Sequence, residues 1–359
     1  MPERSDGVTD GLEILPVRGI GDVTAGDDLA ELITNAAPWL RDGDVLVVTS
    51  KIVSKAEGRM VDVPADGPER EAVREEILAS ETARVVARRG PTAIVQTHHG
   101  FVMAAAGIDA SNVDKTHLVL LPADPDGSAR ELRAALLRRG LDVGIIISDT
   151  MGRTWRNGLT DVALGAAGVE PFRDHRGEID PYGNELQLTQ MAVIDELAGA
   201  GELVKGKRDQ VPVAVVRGYP AAGLGDSAGA VALVRDAASD MFSLGTAEAR
   251  AEGLRDAAVL PDDLSRSVPG AAIDAAAVDR ALTTVTGHLA PGTAVTPAEI
   301  LPENGATASL RLTPPETSPA AWLRLGADAH RLRAALAAEG MASALLPESD
   351  GVLLALYAA

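Results

Sequence analysis

The chain has 359 residues, enough for two domains, and 46% are apolar but only 3% aromatic, so its core is expected to be built from Ala, Val, Leu and Ile. With 33 Lys and Arg against 52 Asp and Glu, the formal charge is -19, which excludes nucleic acid and anionic membranes as partners because both need cationic patches. There is no cysteine, which removes disulfides, thiolate metal sites and a cysteine nucleophile.

In chain order, residues 1–10 are polar and acidic, without the apolar run of a signal peptide. The longest apolar runs, such as Ile145-Ile146-Ile147, are far too short to span a bilayer, so a cytoplasmic location is expected. Apolar and β-branched patterning predicts strands over 12–17, 44–49, 92–97, 117–121, 143–148 and 211–217. Helices are predicted over 28–40, 69–89, 128–139 and 186–198, with Asp27 or Asp28 capping the first and Ser128 the third. Gly90-Pro91 and Gly140 punctuate the ends of the second and third. This alternation implies an α/β domain (α+β, with a mixed sheet) whose strand order the sequence leaves open. A Gly-, Ala- and Pro-rich stretch at 219–229 interrupts the pattern. From Thr246 Ala dominates and polar clusters disappear, which divides the chain into 1–245 and 246–359. In the second part, helices are predicted over 247–257, 275–288 and 320–339, and strands over 309–312 and 352–357.

Five clusters could carry chemistry. Arg18-Gly19-Ile20-Gly21-Asp22-Val23 follows the first predicted strand, and its two close glycines let backbone N–H groups approach a phosphate. The complete dinucleotide and P-loop fingerprints are absent, and a plain tight turn is the alternative. Thr49-Ser50-Lys51-Ile52-Val53-Ser54-Lys55-Ala56-Glu57-Gly58-Arg59 follows a buried strand, where open α/β sheets place ligand loops. Its hydroxyls, ammonium groups and guanidinium suit a polyanion; the alternative is a solvated turn. Gly107 to Asp114 and Ile147 to Gly158 carry carboxylates beside hydroxyls. Asp149 and Thr150 stand where a predicted strand runs out, a placement that suits magnesium or manganese bridging phosphates, although Asp-rich turns are commonly caps. Arg153 and Arg156 are three apart, so one helical turn would present both to an anion. Lys205-Gly206-Lys207-Arg208 is either a ligand loop or an exposed charged turn. His98 and His99 are adjacent, would face opposite ways on a strand, and are read as structural. No Gly-x-Ser-x-Gly elbow and no His-Glu-x-x-His is present, so neither a serine hydrolase nor a zincin is indicated.

Taken together, the order of 15–19, 47–59, 107–113, 148–158, Asp180-Pro181-Tyr182-Gly183-Asn184-Glu185-Leu186 and 203–207 resembles the coenzyme F420-0:L-glutamate ligases over about residues 12–218. Ser-Asp-Thr-Met-Gly-Arg-Thr-Trp-Arg-Asn-Gly at 148–158 is the most distinctive segment. The resemblance implies GTP as co-substrate, two divalent ions (Mg2+ or Mn2+), and γ-linked addition of L-glutamate to coenzyme F420-0 through an acyl phosphate. It implies that Asp109 and Asp149 hold one metal and that Thr150 contacts the second. Ile20, Gly21, Asp22, Val23, Ser50, Lys55 and Asn112 would bind the nucleotide. Charge alone adds Lys205, Gly206 and Lys207 to the nucleotide site, and Arg153 and Arg156 to the catalytic one. A homodimer is the family expectation.

Actinobacterial members of that family carry a flavin-reductase-like domain after the ligase domain. Here the region after Gly245 has 114 residues (359 minus 245), short for such a domain. The stretch Leu264-Ser265-Arg266-Ser267-Val268, where an FMN phosphate would be met, has a single Arg. The expectation is a reduced nitroreductase-like remnant without FMN, serving packing or dimerisation. Three alternatives remain from the sequence: a bifunctional ligase that also reduces a dehydro precursor with FMN, a non-catalytic scaffold subunit, and a generic metal-dependent phosphotransferase acting on another carboxylate acceptor. Retention of Asp109 and Asp149 speaks against the scaffold.

Overall fold

The structure, a computed structural model, describes residues 11–110, 114–206, 210–220, 228–260, 272–299 and 306–358. It divides into two units, Met1–Ala247 and Glu248–Ala359. Among the described residues no helix is long and apolar enough to cross a membrane.

The first unit begins with β1 (Glu13–Val17), α1 (Leu29–Ala36), β2 (Val45–Thr49) and α2 (Ser50–Ala56). An outlying portion follows: β3 (Met60–Asp62), α3 (Gly67–Ser80), β4 (Thr82–Arg89), β5 (Thr92–Thr97), β6 (Val102–Ala104) and β7 (His117–Val119). The chain then returns through α4 (Pro125–Arg138), β8 (Gly144–Arg153), β9 (Arg156–Ala167), β10 (Phe172–Asp174), β11 (Gln190–Ala192), α5 (Val193–Lys205) and β12 (Val213–Arg217).

Its main sheet has the order β1-β12-β2-β8-β9, with β2 and β8 parallel and the other neighbours antiparallel. The sheet is covered on both faces, which is why β2 and β12 read as unbroken apolar runs rather than alternating ones. Leu46, Val48, Ile145, Ile147, Val213 and Val215 face one way, against Ile33 of α1, Ile52 and Val53 of α2, and Leu132 and Leu136 of α4. Val45, Val47, Ile146, Ala214 and Val216 face the other way, against Val193, Ile194, Leu197 and Ala198 of α5. Each such fully buried Val, Leu or Ile contributes about 1.5–3 kcal/mol relative to exposure. The approach of α5 is close: a Cβ at Gly201 would lie 2.8 Å from Val47, so only glycine fits there. At the sheet's edge, Asp44 and Arg217 form a two-pronged ion pair at 2.8 and 2.7 Å.

Several predicted elements differ from what forms. The helix predicted over 69–89 is two elements, α3 ending at Ser80 and β4 beginning at Thr82. Val85 and Val86 are β-branched, and β4 pairs with β5 through the turn at Gly90. The cap of α4 is Asp124, whose Oδ1 accepts from Gly127 N at 2.9 Å, with Pro125 in the first turn; Ser128 lies inside the helix. The helix predicted over 186–198 begins only at Val193 and continues to Lys205, because Gly199 and Gly201 are tolerated where the backbone packs against the sheet. β9 was not predicted: Gly165, Ala166 and Ala167 carry no strand signal, and Gly165 is needed because a side chain there would collide with the Pro125 carbonyl. Asp28 does cap α1, accepting from Glu31 N at 3.0 Å. His98 and His99 sit in the turn after β5 rather than on it, with their Nε2 atoms against the carbonyls of Ser80 and Ala123 at 3.0 and 3.1 Å.

The second unit follows α6 (Thr246–Ala258), which spans the division, with α7 (Ala275–Thr286), β13 (Ala294–Pro297), β14 (Ala308–Thr313), α8 (Pro319–Ala338), β15 (Met341–Pro347) and β16 (Val352–Ala358). Its sheet is antiparallel throughout, in the order β13-β14-β16-β15. Ala277, Ala281 and Val285 of α7 and Leu325, Leu332 and Leu336 of α8 pack against Leu310, Leu312, Leu354 and Leu356. β13 and β15 were not predicted from the sequence. The Leu264–Val268 stretch on which the FMN expectation rests lies outside the described residues.

Candidate active site

The sheet order brings one set of strand ends together. β2 and β8 run the same way, and the last residue of β2, Thr49, lies beside Ser148. β8 itself continues to Arg153 paired with β9, so Asp149 and Thr150 lie within the strand rather than past its end as the sequence suggests. The antiparallel β12 begins beside Val48, and β1 leaves the sheet at Val17 opposite Val213. β9 pairs back along β8, with Asp161 opposite Thr150. A cavity of about 710 Å³ opens at this edge, within the roughly 300–1,000 Å³ usual for small-molecule sites. It is lined by Ile20, Gly21, Asp22 and Val23 after β1, and by Lys51 and Lys55 of α2. Asp109 and Asp114, Asp149, Thr150 and Asp161 of the β8–β9 hairpin, Glu202 and Lys205 of α5, and Gly206 after it also line the cavity.

Each piece has a local cause. Ile20 and Val23 are buried anchors that leave Gly21 and Asp22 exposed between them. The loop is closed by Thr24 N and Oγ1 donating to Asp27 Oδ2 at 2.7 and 3.1 Å, and by Gly26 N donating to Ala56 O at 2.8 Å. Lys51 and Lys55 are four apart on α2 and so share a face, while Ile52 and Val53 enter the core.

Asp109 is delivered by an unusual stretch of backbone. Ala105, Ala106 and Gly107 all have positive φ, at 49°, 53° and 71°, which costs about 1–3 kcal/mol at each non-glycine residue. A side chain at Gly107 would press on Leu121 and Met103, so the third position needs glycine. Asp109 itself is pinned by reciprocal backbone hydrogen bonds with Val119, both 2.9 Å, and its Oδ2 lies 2.6 Å from Lys51 Nζ.

Asp149 accepts from Thr150 N at 2.7 Å. Burial pushes its carboxyl up to about 6, with the Asp109 and Asp161 carboxylates adding to the rise and Lys51 opposing it. Behind it, Asp161 and Lys205 form an ion pair at 2.8 Å whose side chains are 2% and 1% exposed. Asp161 was missed in the sequence; the available signal was a carboxylate directly before the run Val162 to Ala167.

The residues present fit a divalent cation of the magnesium or manganese kind. Asp109, Asp149 and Thr150 offer only hard oxygen donors, and crowded carboxylates around Asp149 favour a cation between them. Among the described residues no three acidic or histidine side chains form a ready cage. That matches a metal held by one or two carboxylates and completed by water and substrate phosphate.

The other expected site residues fall in several places. Ser50 is buried in the first turn of α2 and does not line the cavity. Asn112 and Lys207 lie outside the described residues. Arg153 and Arg156 are not on a helical turn: they face each other across the tip of the β8–β9 hairpin, exposed and outside the cavity lining, with Trp155 at φ 60° between them. The 180–186 segment is a self-contained turn in which Asp180 Oδ1 accepts from Tyr182 N at 2.9 Å and Asn184 N at 2.8 Å.

Residues 19–218 match the family described as F420-0:Gamma-glutamyl ligase. The chain is 40% identical over 249 residues to the coenzyme F420:L-glutamate ligase of Methanothermobacter thermautotrophicus, covering 65% of this chain and 99% of that protein. The proteins of the same name from Archaeoglobus fulgidus and Methanopyrus kandleri are 42% and 43% identical over 228 and 221 residues, covering 60% and 58% of this chain and 90% and 87% of theirs.

Proposed function

This chain belongs to the F420-0:gamma-glutamyl ligase family, and from that premise we propose that it joins L-glutamate, in γ linkage, to coenzyme F420-0 in coenzyme F420 biosynthesis, with GTP as co-substrate. The observation that carries the reading is the gathering of Lys51, Lys55, Asp109, Asp149 and Thr150 around one cavity where the parallel pairing of β2 with β8 ends. In a chain of net charge -19, cations gathered there suit a polyphosphate. GTP rather than another nucleotide is what the sequence resemblance implies, as is a homodimer; a cytoplasmic setting is the expectation from the short apolar runs.

The reaction is a carboxylate activation. The γ-phosphorus of GTP bonds to a carboxylate oxygen of F420-0, its bond to the bridging oxygen breaks, and GDP leaves. The glutamate amine then attacks the acyl carbon of the resulting acyl phosphate, inorganic phosphate departs, the amide forms, and the amine proton passes to solvent. Neither step needs a nucleophile from the protein, in keeping with a chain that has no cysteine and no serine elbow. Lys51 and Lys55 meet phosphate oxygens from α2, and the exposed backbone of Gly21 and Asp22 closes over the nucleotide. Asp109, Asp149 and Thr150 would hold Mg2+ or Mn2+, which when bound neutralises charge building on the transferred phosphoryl group.

The test is mass spectrometry of the products from purified protein, coenzyme F420-0, glutamate, GTP and Mg2+ or Mn2+. Product heavier by glutamyl units, with GDP formed only when acceptor is present, is expected. No product while GTP still binds would assign the site to another acceptor, and neither product nor GTP binding would remove the ligase reading.

A further inference from the structure

The floor of the cavity holds a buried charge pair to which the ligation chemistry assigns no part. Lys205 is the last residue of α5 and Asp161 stands midway along β9, just before its apolar end. Lys205 Nζ donates to Asp161 Oδ2 at 2.8 Å, to Ser148 Oγ at 2.9 Å and to Thr49 Oγ1 at 3.3 Å. An ammonium has three protons and no acceptor, so these three oxygens occupy it, with Glu202 Oε2 a further 3.4 Å neighbour. Asp161 is equally engaged: Oδ2 also accepts from Ser148 Oγ at 2.8 Å, and Oδ1 accepts from Thr150 Oγ1 at 2.9 Å.

Counting protons decides what Thr150 can do. A hydroxyl has one proton and two lone pairs. The Thr150 proton is directed at Asp161, so towards the cavity this oxygen presents lone pairs alone. Such an oxygen ligates a cation and cannot donate to a phosphate. Ser148, fully buried, has its proton on the same carboxylate and takes one from Lys205, which ties the ends of β2 and β8 to the helix behind them.

We propose that Asp161 and Lys205 are positioning residues: their ion pair holds the Thr150 proton away from the cavity and so makes that hydroxyl a cation ligand. The inference rests on the metal-dependent reading of the site. Lys205 then acts behind the site rather than on a nucleotide phosphate. Outer partners of this kind typically change metal affinity by roughly 10–100-fold when removed.

The experiment is Mn2+ binding to the full chain by calorimetry and electron paramagnetic resonance, for Asp161→Asn, Thr150→Val and the double variant, with metal-free GTP affinity measured alongside. Each single change is expected to weaken Mn2+ binding about tenfold or more, the double variant to bind no more weakly than Thr150→Val, and metal-free GTP still to bind, which shows that the site is folded. Losses that multiply in the double variant would show Asp161 to be a ligand in its own right and overturn the proposal. So would unchanged Mn2+ affinity in Asp161→Asn. If that variant does not fold, Ser148→Ala is the substitute: it should weaken Mn2+ binding in the Thr150 background and have no effect beside Thr150→Val, and equal losses in both overturn the proposal. A full chain that binds no Mn2+ overturns both this inference and the metal reading. Mn2+ binding without ligation removes only the proposed function.

Discussion

Both units bury charged side chains, and they differ in what those charges face. In Met1–Ala247, Asp161 and Lys205 line a cavity beside Asp149 and Asp109. In Glu248–Ala359, Asp328 is fully buried, but it accepts from Ala290 N at 2.9 Å and Thr293 Oγ1 at 3.0 Å, and pairs with Arg331 at 2.6 Å. Arg333 donates to Ser343 Oγ and O at 3.3 and 3.2 Å, tying α8 to β15. These groups fasten neighbouring elements to one another, as Asp44 and Arg217 do in the first unit. Buried charge is therefore a sign of construction as readily as of chemistry. What separates the two is a parallel strand pair in the first unit, whose ends open on a cavity, against a wholly antiparallel sheet in the second.

The largest expected effect breaks the site half of this comparison. Asp149→Asn should lower kcat by on the order of a thousandfold. The unfolding midpoint should not fall, because burial already disfavours the ionised carboxylate that the change removes. Near-normal turnover would sink the metal assignment. Next, Asp328→Ala should cost about 1–3 kcal/mol in urea unfolding, since it leaves the donors Ala290 N and Thr293 Oγ1 unmatched while the half-exposed Arg331 turns to solvent, with turnover per folded molecule unchanged. Lost turnover in fully folded protein would erase the distinction between the units. Third, Gly201→Ala forces a Cβ to 2.8 Å from Val47 and should cost about 1–3 kcal/mol by overpacking. An unchanged denaturation midpoint would show that α5 can shift on the sheet.

The smallest effect concerns His117, which joins Asp114 at 2.7 Å and Asp62 at 3.0 Å near the cavity rim. The hydrogen bond to Asp114 raises its pKa above 6.5, with the Asp114 and Asp62 charges adding to the rise. A raised value favours the protonated folded form, so the contribution is complete below pH 6.5 and is lost as pH climbs through the folded value. The midpoint difference between the unsubstituted chain and His117→Gln should therefore shrink with rising pH, and a difference that grows would contradict the assignment.

These contrasts also show what a sequence displays. Elements buried on both faces, such as β2, β8 and β12, announce themselves as apolar runs, and Asp149 and Thr150 were legible as polar residues directly after the run in β8, although the strand continues past them to Arg153. Lys55 and the stretch from Ile20 to Val23 stood out through local composition and line the same cavity. β9 stayed hidden because its inner half is Gly and Ala, chosen for close packing rather than strand propensity, and Asp161 was hidden with it. The three-residue spacing of Arg153 and Arg156 fits a helix and a hairpin tip alike, and only the pairing partner decides between them. Charge assigned Lys205 to the nucleotide site, because sequence shows a cation but not the three oxygens that enclose it.

The most direct test of the central claim, that this cavity activates a carboxylate by phosphoryl transfer, is to follow oxygen. Coenzyme F420-0 carrying ¹⁸O in its acceptor carboxylate is turned over with GTP, glutamate and Mn2+, and the released inorganic phosphate is analysed by mass spectrometry. The account expects one ¹⁸O atom in each phosphate formed with an amide bond. Amide formation with unlabelled phosphate would contradict it.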